Sequence, residues 1–507
     1  MSALCMLRRL QVLRHTTRLP SPQSVRGVAT VLPKKEGDIS DAFASLSGLQ
    51  FQPLETRFAD LKAQLIHGKH EKVYASWERL LASLREEVPL IAEAGPRIIP
   101  EIDFKDIDNP SEHFNHEYRK RGVAIIRGAI PEDEALQLKE GLRTYIRQNP
   151  QTKAFPPENP QVFELYWSPS QVRARSHPNL LKTQQFLMSY WHSKDPHALV
   201  SADHPTVYAD RVRMRSPGDN KFALGPHIDG GGPERWEPEG YGRGKVYEKI
   251  WQGEWEQYDP WESSCRLPVI SDMYNGNGSC SMFRMAQGWL SMSETGPFEG
   301  TLLVNPLLSR ATAYFLLRPF FSPVKAAADP SADVFSSDFL ASNNWRLDHQ
   351  PNSWLHGASP GLGQELRGFL HPHLELHRTM THVPTVRPGD YVAWHCDTIH
   401  AVDSIHAGKS DSSVLYIPSC PLTELNAQGL ADLRDNFLKG LPAPDFPGGV
   451  GESQHIGRPQ AEDVAAMTND LGLQSFGLKA WDSTEPGLTP GQQEILNRSN
   501  KILGFYA

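Results

Sequence analysis

Between about residues 207 and 420 the chain is built from short β-rich runs punctuated by glycine and proline. "VYADRVRMRSPGD", "FALGPHIDG", "CSMFRMAQGWLSMS", "EGTLLVNPLL", "GDYVAWH" and "SVLYIP" follow one another with turn signals between them and little helical periodicity. Short strands of this kind bury their apolar faces only by pairing, which predicts an antiparallel sandwich or barrel. Two stretches interrupt the pattern: 230–278, rich in Trp, Glu and Tyr, and the loop-rich 321–380.

The flanks read differently. Over residues 36–120 the sequence predicts a helical N-terminal extension. Within it Leu61, Leu65, Val73, Trp77, Leu80, Leu81 and Leu84 recur near the 3.6-residue period. "GVAIIRGAI" (122–130) reads as an apolar strand opening the core at about residue 121. "PEDEALQLKEGLRTYIRQNP" follows as a helix, with Pro131 near its first turn and Pro150 beyond its end. From 421 to 507 helices return. Thr489, Pro490 and Gln492 spell a capping box there.

The first 35 residues stand apart. Arg8, Arg9, Arg14, Arg18 and Arg26 occur with no acidic residue before Glu36, and Leu4, Leu7, Leu10 and Leu13 recur every third position. This composition predicts a mitochondrial transit peptide and a matrix location. A basic tail on a cytoplasmic protein is the alternative.

Composition excludes several function classes. A net charge of −8 argues against a nucleic-acid binder, which needs a basic surface. No apolar run approaches the ~18 residues of a membrane span. The five cysteines (Cys5, Cys265, Cys280, Cys396 and Cys420) are scattered and form no C-x-x-C pair. A disulfide framework or zinc ribbon is therefore not expected, and the compartment reads as reducing. No G-x-S-x-G elbow, Walker loop or G-x-G-x-x-G fingerprint is present. The expected partner is a small-molecule substrate; the oligomeric state is left open.

"LGPHIDGGGPERW" (224–236) carries the chemistry. On a strand, His227 and Asp229 point to one face, and the glycines beside them leave room for close approach. A lone His-x-Asp arises readily by chance among 20 histidines, and His395-Cys396-Asp397 is a second example. The context raises the first. "RPGDYVAWHCDTIHAVD" adds a Gly-Asp turn, a strand, and then His395 and His400. Two imidazoles and one carboxylate on one face form the facial triad of non-haem Fe(II) oxygenases. Zinc is not excluded by ligand type, and local pattern does not choose between His395 and His400.

The chain resembles a known family. "GDYVAWHCDTIHAVD" is similar to the segment carrying the distal histidine in the phytanoyl-CoA hydroxylase and clavaminate synthase-like group of Fe(II)/2-oxoglutarate dioxygenases. "RGVAIIRGAIPEDEALQLKEGL" resembles that superfamily's opening strand and helix, and "WLSMSETGPFEGTLLVNP" its central strand pair. Over roughly residues 60–480, the blocks "YWSPSQ", "DRVRMRSPGD", "GPHIDGGGPERW", "FRMAQGWL" and "PAPDFP" resemble a functionally uncharacterised bacterial and fungal oxidoreductase branch.

The resemblance implies a mainly β fold: a double-stranded β-helix (jelly-roll, cupin-like) core over 121–420, flanked by helices. It implies that His227, Asp229 and His400 hold Fe(II), with His395 and Asp403 behind them, and Asp397 and Asp403 steadying imidazoles. It further implies 2-oxoglutarate and O2 as cosubstrates, and oxidation, usually hydroxylation, of a small molecule; the surplus arginines of "DRVRMRSPGD" would suit an acidic one. Asp229 argues against halogenation, because related halogenases replace that carboxylate. The family's cosubstrate arginine, downstream of the distal histidine, is missing; Lys409 and Asp411 stand there instead. Arg215, Arg284 and Lys409 are the candidate anchors. Arg211 and Arg213 share the face of Arg215, either toward the cavity or in solvent. Trp236, Trp251, Trp255 and Trp261 form either a lid over the metal or a core of the insertion's own. A cupin-like isomerase or hydrolase without 2-oxoglutarate, and an inactive binding protein, are the competing functions.

Overall fold

The strand Val123–Arg127 shows how the sheets are layered. Its side chains alternate between two cores. Val123 and Ile125 join Trp289, Val392 and Trp394, together with Leu302 and Val304 from a second sheet. Ala124 and Ile126 join Phe114, Tyr118, Leu138, Leu142 and Leu187 from helices. A strand buried on both faces reads as a continuous apolar run, and "VAII" does.

This is a computed structural model, describing residues 42–48, 51–220, 223–276, 279–327 and 333–506. The stretch read as a transit peptide lies outside the described residues. Among them, the larger sheet has eight strands in the order Glu101–Asp103, Val123–Arg127, Tyr391–His395, Ala286–Ser291, Ser412–Tyr416, Val212–Arg215, Val162–Phe163 and Ala154–Phe155. Its first pair is parallel and the other pairings are antiparallel. The smaller sheet is antiparallel, in the order Gln364–Glu365, His227–Ile228, His400–Val402, Leu302–Val304 and Thr381–His382.

The architecture is mixed helix and sheet, with large antiparallel sheets and no closed barrel among the described residues, rather than the mainly β chain expected. Helices are not confined to the ends. The run expected as β around "NPLL" leads into the helix Leu308–Leu317, which is buried from Ala311 onward. Only Ser309 and Arg310 are partly exposed, so most of the helix surface is apolar and buried and its period is blurred. The helix His70–Ala94 buries Val73, Trp77, Leu80, Leu81 and Leu84 as predicted. Trp77 stacks on Phe321 at 4.3 Å. The segment 321–380, read as loop, supplies Gln364–Glu365, the edge strand beside His227. Pro131 is the N-cap of Glu132–Gln148, and the capping box at Thr489 and Gln492 is formed in both directions. No helix among the described residues is long and apolar enough to cross a membrane.

Candidate metal centre

His227 lies at the start of a two-residue strand held on both sides. Glu365 pairs with it from the edge strand and His400 from the next strand inward. Each imidazole is oriented by the backbone two residues upstream. His227 Nδ1 lies 2.8 Å from the Gly225 carbonyl oxygen, and His400 Nδ1 lies 3.1 Å from that of Thr398. A carbonyl only accepts, so both Nδ1 atoms carry the proton and both Nε2 lone pairs are free to bind a cation.

Those lone pairs converge on Asp229. His227 Nε2 is 3.7 Å from Asp229 Oδ1, and His400 Nε2 is 3.8 Å from Oδ2. The three donor atoms all lie within 4.8 Å of one another. Bonds of roughly 2.1 Å place two donors about 3 Å apart when adjacent and about 4.2 Å apart when opposite, so small side-chain shifts close this set on one ion. Two nitrogens and a carboxylate, with no thiolate among them, suit a first-row dication such as Fe(II).

Electrostatics favour the same state. Burial pushes the Asp229 carboxyl up, but His400, His227, Arg284 and Gln287 outweigh it and leave it at about 2. Burial, then the neighbouring His227, lower His400 to about 3. At neutral pH the site therefore presents a carboxylate and a neutral His400. Arg284 Nη2 stands 3.6 Å from Asp229 Oδ2. Trp394 flanks His400, with ring centroids 5.2 Å apart.

The triad opens into a cavity of about 840 Å³ whose walls include Tyr208, Arg213, Arg284, Gln287, Trp289 and Tyr416. Arg213 is 9% exposed. Across the larger sheet it pairs with Val414 on one side and Val162 on the other, and Ser291 lies beyond Val414. All four residues line the cavity, so this row carries one cation.

The glycines after Asp229 allow the close approach expected, from the protein's own backbone: a Cβ on Gly231 would lie 2.4 Å from the Ser271 carbonyl oxygen, and one on Gly232 2.9 Å from that of Leu362. Gly230 and Gly231 both take φ of +88°, a region open to glycine at little cost. The turn delivers three carbonyls to the buried Arg235. Its Nη2 donates to the Asp229 oxygen at 2.6 Å, and its Nη1 to those of Gly230, at 3.1 Å, and Gly231. The Tyr241 hydroxyl adds a bond of 2.9 Å to the Gly230 oxygen. The insertion thus anchors the backbone that carries the carboxylate.

Several expected site residues are elsewhere. Arg215 does not line the cavity. It pairs with Asp219 at 2.8 Å and donates to the Asp403 carbonyl at 2.7 Å and the Ser404 carbonyl at 3.3 Å. The turn after its strand captures the guanidinium. Lys409 is exposed and does not line the cavity. His395 stacks on Trp191 at 4.7 Å, and its Nε2 donates to the Pro260 carbonyl at 3.0 Å. Asp397 binds Arg266 at 2.5 Å and the hydroxyls of Tyr258 at 3.0 Å and Tyr247 at 3.3 Å. Asp403 takes His382 Nε2 at 2.6 Å and the Thr301 amide at 3.1 Å. So the backbone, and not these acids, orients the ligand imidazoles. His395, Cys396 and Asp397 also lie close enough for a metal, but Arg266 and the tyrosines already occupy the carboxylate.

None of the four insertion tryptophans lines the cavity. Trp236, Trp251 and Trp255 pack with Trp77, Leu80 and Phe315 in one core. The insertion reaches outward to the helices rather than over the triad. Sequence reading passed over Gln287 and Phe43, both of which line the cavity.

Residues 52–478 match the Gig2-like family model, and the chain belongs to that family. It is 29% identical over 432 residues to the uncharacterized protein YbiU of Escherichia coli strain K12, covering 82% of this chain and 94% of that one. Among solved structures, GlcNAc Inducible Gene 2, GIG2 (DUF1479), from Candida albicans superposes with a TM-score of 0.79 at 31% identity, covering 90% of this chain and 96% of that one. The "Putative Oxidoreductase" of Salmonella typhimurium LT2 gives a TM-score of 0.70 at 28% identity, covering 83% and 96%.

Proposed function

We propose that this member of the Gig2-like family is an Fe(II)/2-oxoglutarate-dependent dioxygenase that oxidises a small molecule. The observation that carries the reading is the convergence of His227 Nε2, His400 Nε2 and the Asp229 carboxylate at one end of a cavity with Arg213 in its wall. The name of the Salmonella protein agrees with the reaction class. The two antiparallel sheets sharing a core support reading them as the halves of a double-stranded β-helix.

His227, Asp229 and His400 would hold the metal, and three protein ligands leave positions open for cosubstrate and O2. Bound there, Fe(II) supplies the coupling of 2-oxoglutarate decarboxylation to oxidation of a substrate C–H bond by O2. The balance is substrate, 2-oxoglutarate and O2 giving hydroxylated substrate, succinate and CO2. The chain's own residues do the rest. The carbonyls of Gly225 and Thr398 keep the imidazoles in the metal-binding tautomer. Arg284, 3.6 Å from Asp229 Oδ2, steadies the carboxylate's charge. Trp394 and Trp289 wall the cavity against water. Arg213 takes over the carboxylate anchor that the family pattern places downstream of the distal histidine. It lies opposite Val414, which is on the strand that follows Asp411, the position where the family arginine was expected. A guanidinium fork grips a carboxylate bidentately, which the exposed Lys409 does not.

The test is O2-dependent succinate formation by purified, Fe(II)-loaded protein given 2-oxoglutarate and pools of small molecules. Succinate above the Asp229→Ala background supports the reading. Turnover of such pools without O2 or 2-oxoglutarate would replace it with a metal-dependent hydrolase or isomerase.

A further inference from the structure

The metal end of the cavity is finished by a segment distant in sequence from both sheets. Phe43 sets its ring edge-on to the imidazole of His227, with centroids 4.9 Å apart and planes at 75°. It is 6% exposed, and with Ala42 it lines the same cavity as His227 and Asp229. The segment is fastened to the edge strand beside the ligand strand. The Gly363 amide donates to the Ala42 carbonyl at 2.9 Å, and the Ser45 amide to Glu365 Oε2 at 3.1 Å. Glu365 is itself the register partner of His227. Gly363 leaves space for the ring: a Cβ there would lie 2.4 Å from Phe43 Cε1.

We propose that residues 42–48 form a strap closing the metal end of the cavity, with Phe43 as the residue that gates access to the His227 side of the site. The inference rests on the metal reading of the triad. A phenyl ring forms no conventional hydrogen bond, so it leaves His227 by giving up apolar contact alone. Ala44–Ser47 is one helical turn, too short to hold itself. With the strap closed, the ring keeps water and bulky groups off one ligand. With it open, that side admits a metal ion, a chelator or a larger substrate. Phe43 is thus a gating and size-selecting residue, not a catalytic one.

The experiment loads the full chain with Co(II) and follows its loss to excess EDTA by the visible band. Phe43→Ala and Gly363→Val should each retain one equivalent and release it about tenfold faster or more, because the closed strap has lost its apolar contact or its seat. Phe43→Leu should stay near the wild-type rate. Unchanged release in both Phe43→Ala and Gly363→Val overturns the strap. If the wild type takes up no Co(II), the metal reading falls, and amide exchange decides the strap separately. Protection of Ser45 and Leu46 in the wild type that is lost in Gly363→Val supports a docked strap, whereas rapid exchange of both in the wild type overturns it.

Discussion

His227 and His400 face each other directly across the smaller sheet, and each turns Nδ1 to the carbonyl oxygen two residues before it. Their ring centroids are 4.1 Å apart. The repetition gives both imidazoles one tautomer and sends both Nε2 atoms toward the same carboxylate. The backbone does here what a buried acid often does behind a metal ligand. An orientation set by strand geometry does not depend on the charge state of a third residue.

The two arginines of "VRMR" separate function from stability. Arg213→Ala should weaken 2-oxoglutarate binding about 100-fold, the loss of a charge-assisted bond worth roughly 2–3 kcal/mol, with iron stoichiometry unchanged. Arg215→Ala should remove the buried ion pair with Asp219 and lower stability by about 3 kcal/mol. Calorimetric titration of cosubstrate and urea midpoints read the two effects. A reversed pattern would return the anchor to Arg215.

The difference between these neighbours also marks where sequence reading stops. Alternation puts Arg211, Arg213 and Arg215 on one face, but it does not say how far along the strand the cavity runs. It also does not say that Asp219, four residues on, draws the last guanidinium away. His227 and Asp229 were legible because a period of two and a turn are local properties. His400 was legible only through resemblance, since its register opposite His227 is a long-range pairing. The glycines after Asp229 were seen, but what they approach was hidden because Arg235, which they wrap around, sits in the insertion. The helix Leu308–Leu317 escaped because burial on most sides blurs its period and the apolar run before it reads as strand. Phe43 escaped because nothing local ties a lone aromatic in an Ala/Ser stretch to a site so far along the chain.

Asp397 is the keystone between insertion and core. Asp397→Asn should cost about 3–5 kcal/mol, because Arg266 stays buried without a countercharge and the Tyr258 and Tyr247 bonds weaken. Metal stoichiometry should be retained in the fraction that folds. Chemical denaturation with metal analysis of the folded pool checks both statements. Loss of metal at unchanged stability would make His395, Cys396 and Asp397 a second site.

Acid should destabilise the fold before it protonates most carboxylates. Burial, then Arg318, lower both His371 and His373 to about 3 from an ordinary 6.5. The folded protein keeps them neutral at pH 5, whereas the unfolded chain protonates them below 6.5. Their contribution to stability is complete above pH 6.5 and falls steadily toward pH 3. At pH 5 the loss is on the order of 2 kcal/mol for each. Urea midpoints between pH 7.5 and 5 should show this slope, reduced in His371→Gln. A slope identical in the variant would locate the acid sensitivity elsewhere.

Everything proposed for the site requires that His227, Asp229 and His400 hold iron in a cavity that also accepts 2-oxoglutarate. The most direct measurement is an anaerobic titration of the purified chain with Fe(II) and 2-oxoglutarate, followed by the visible metal-to-ligand charge-transfer band. A band is expected that requires both additions, saturates at one equivalent of each, and is lost or displaced in Asp229→Ala. Iron bound at one equivalent with no band on adding 2-oxoglutarate would contradict it.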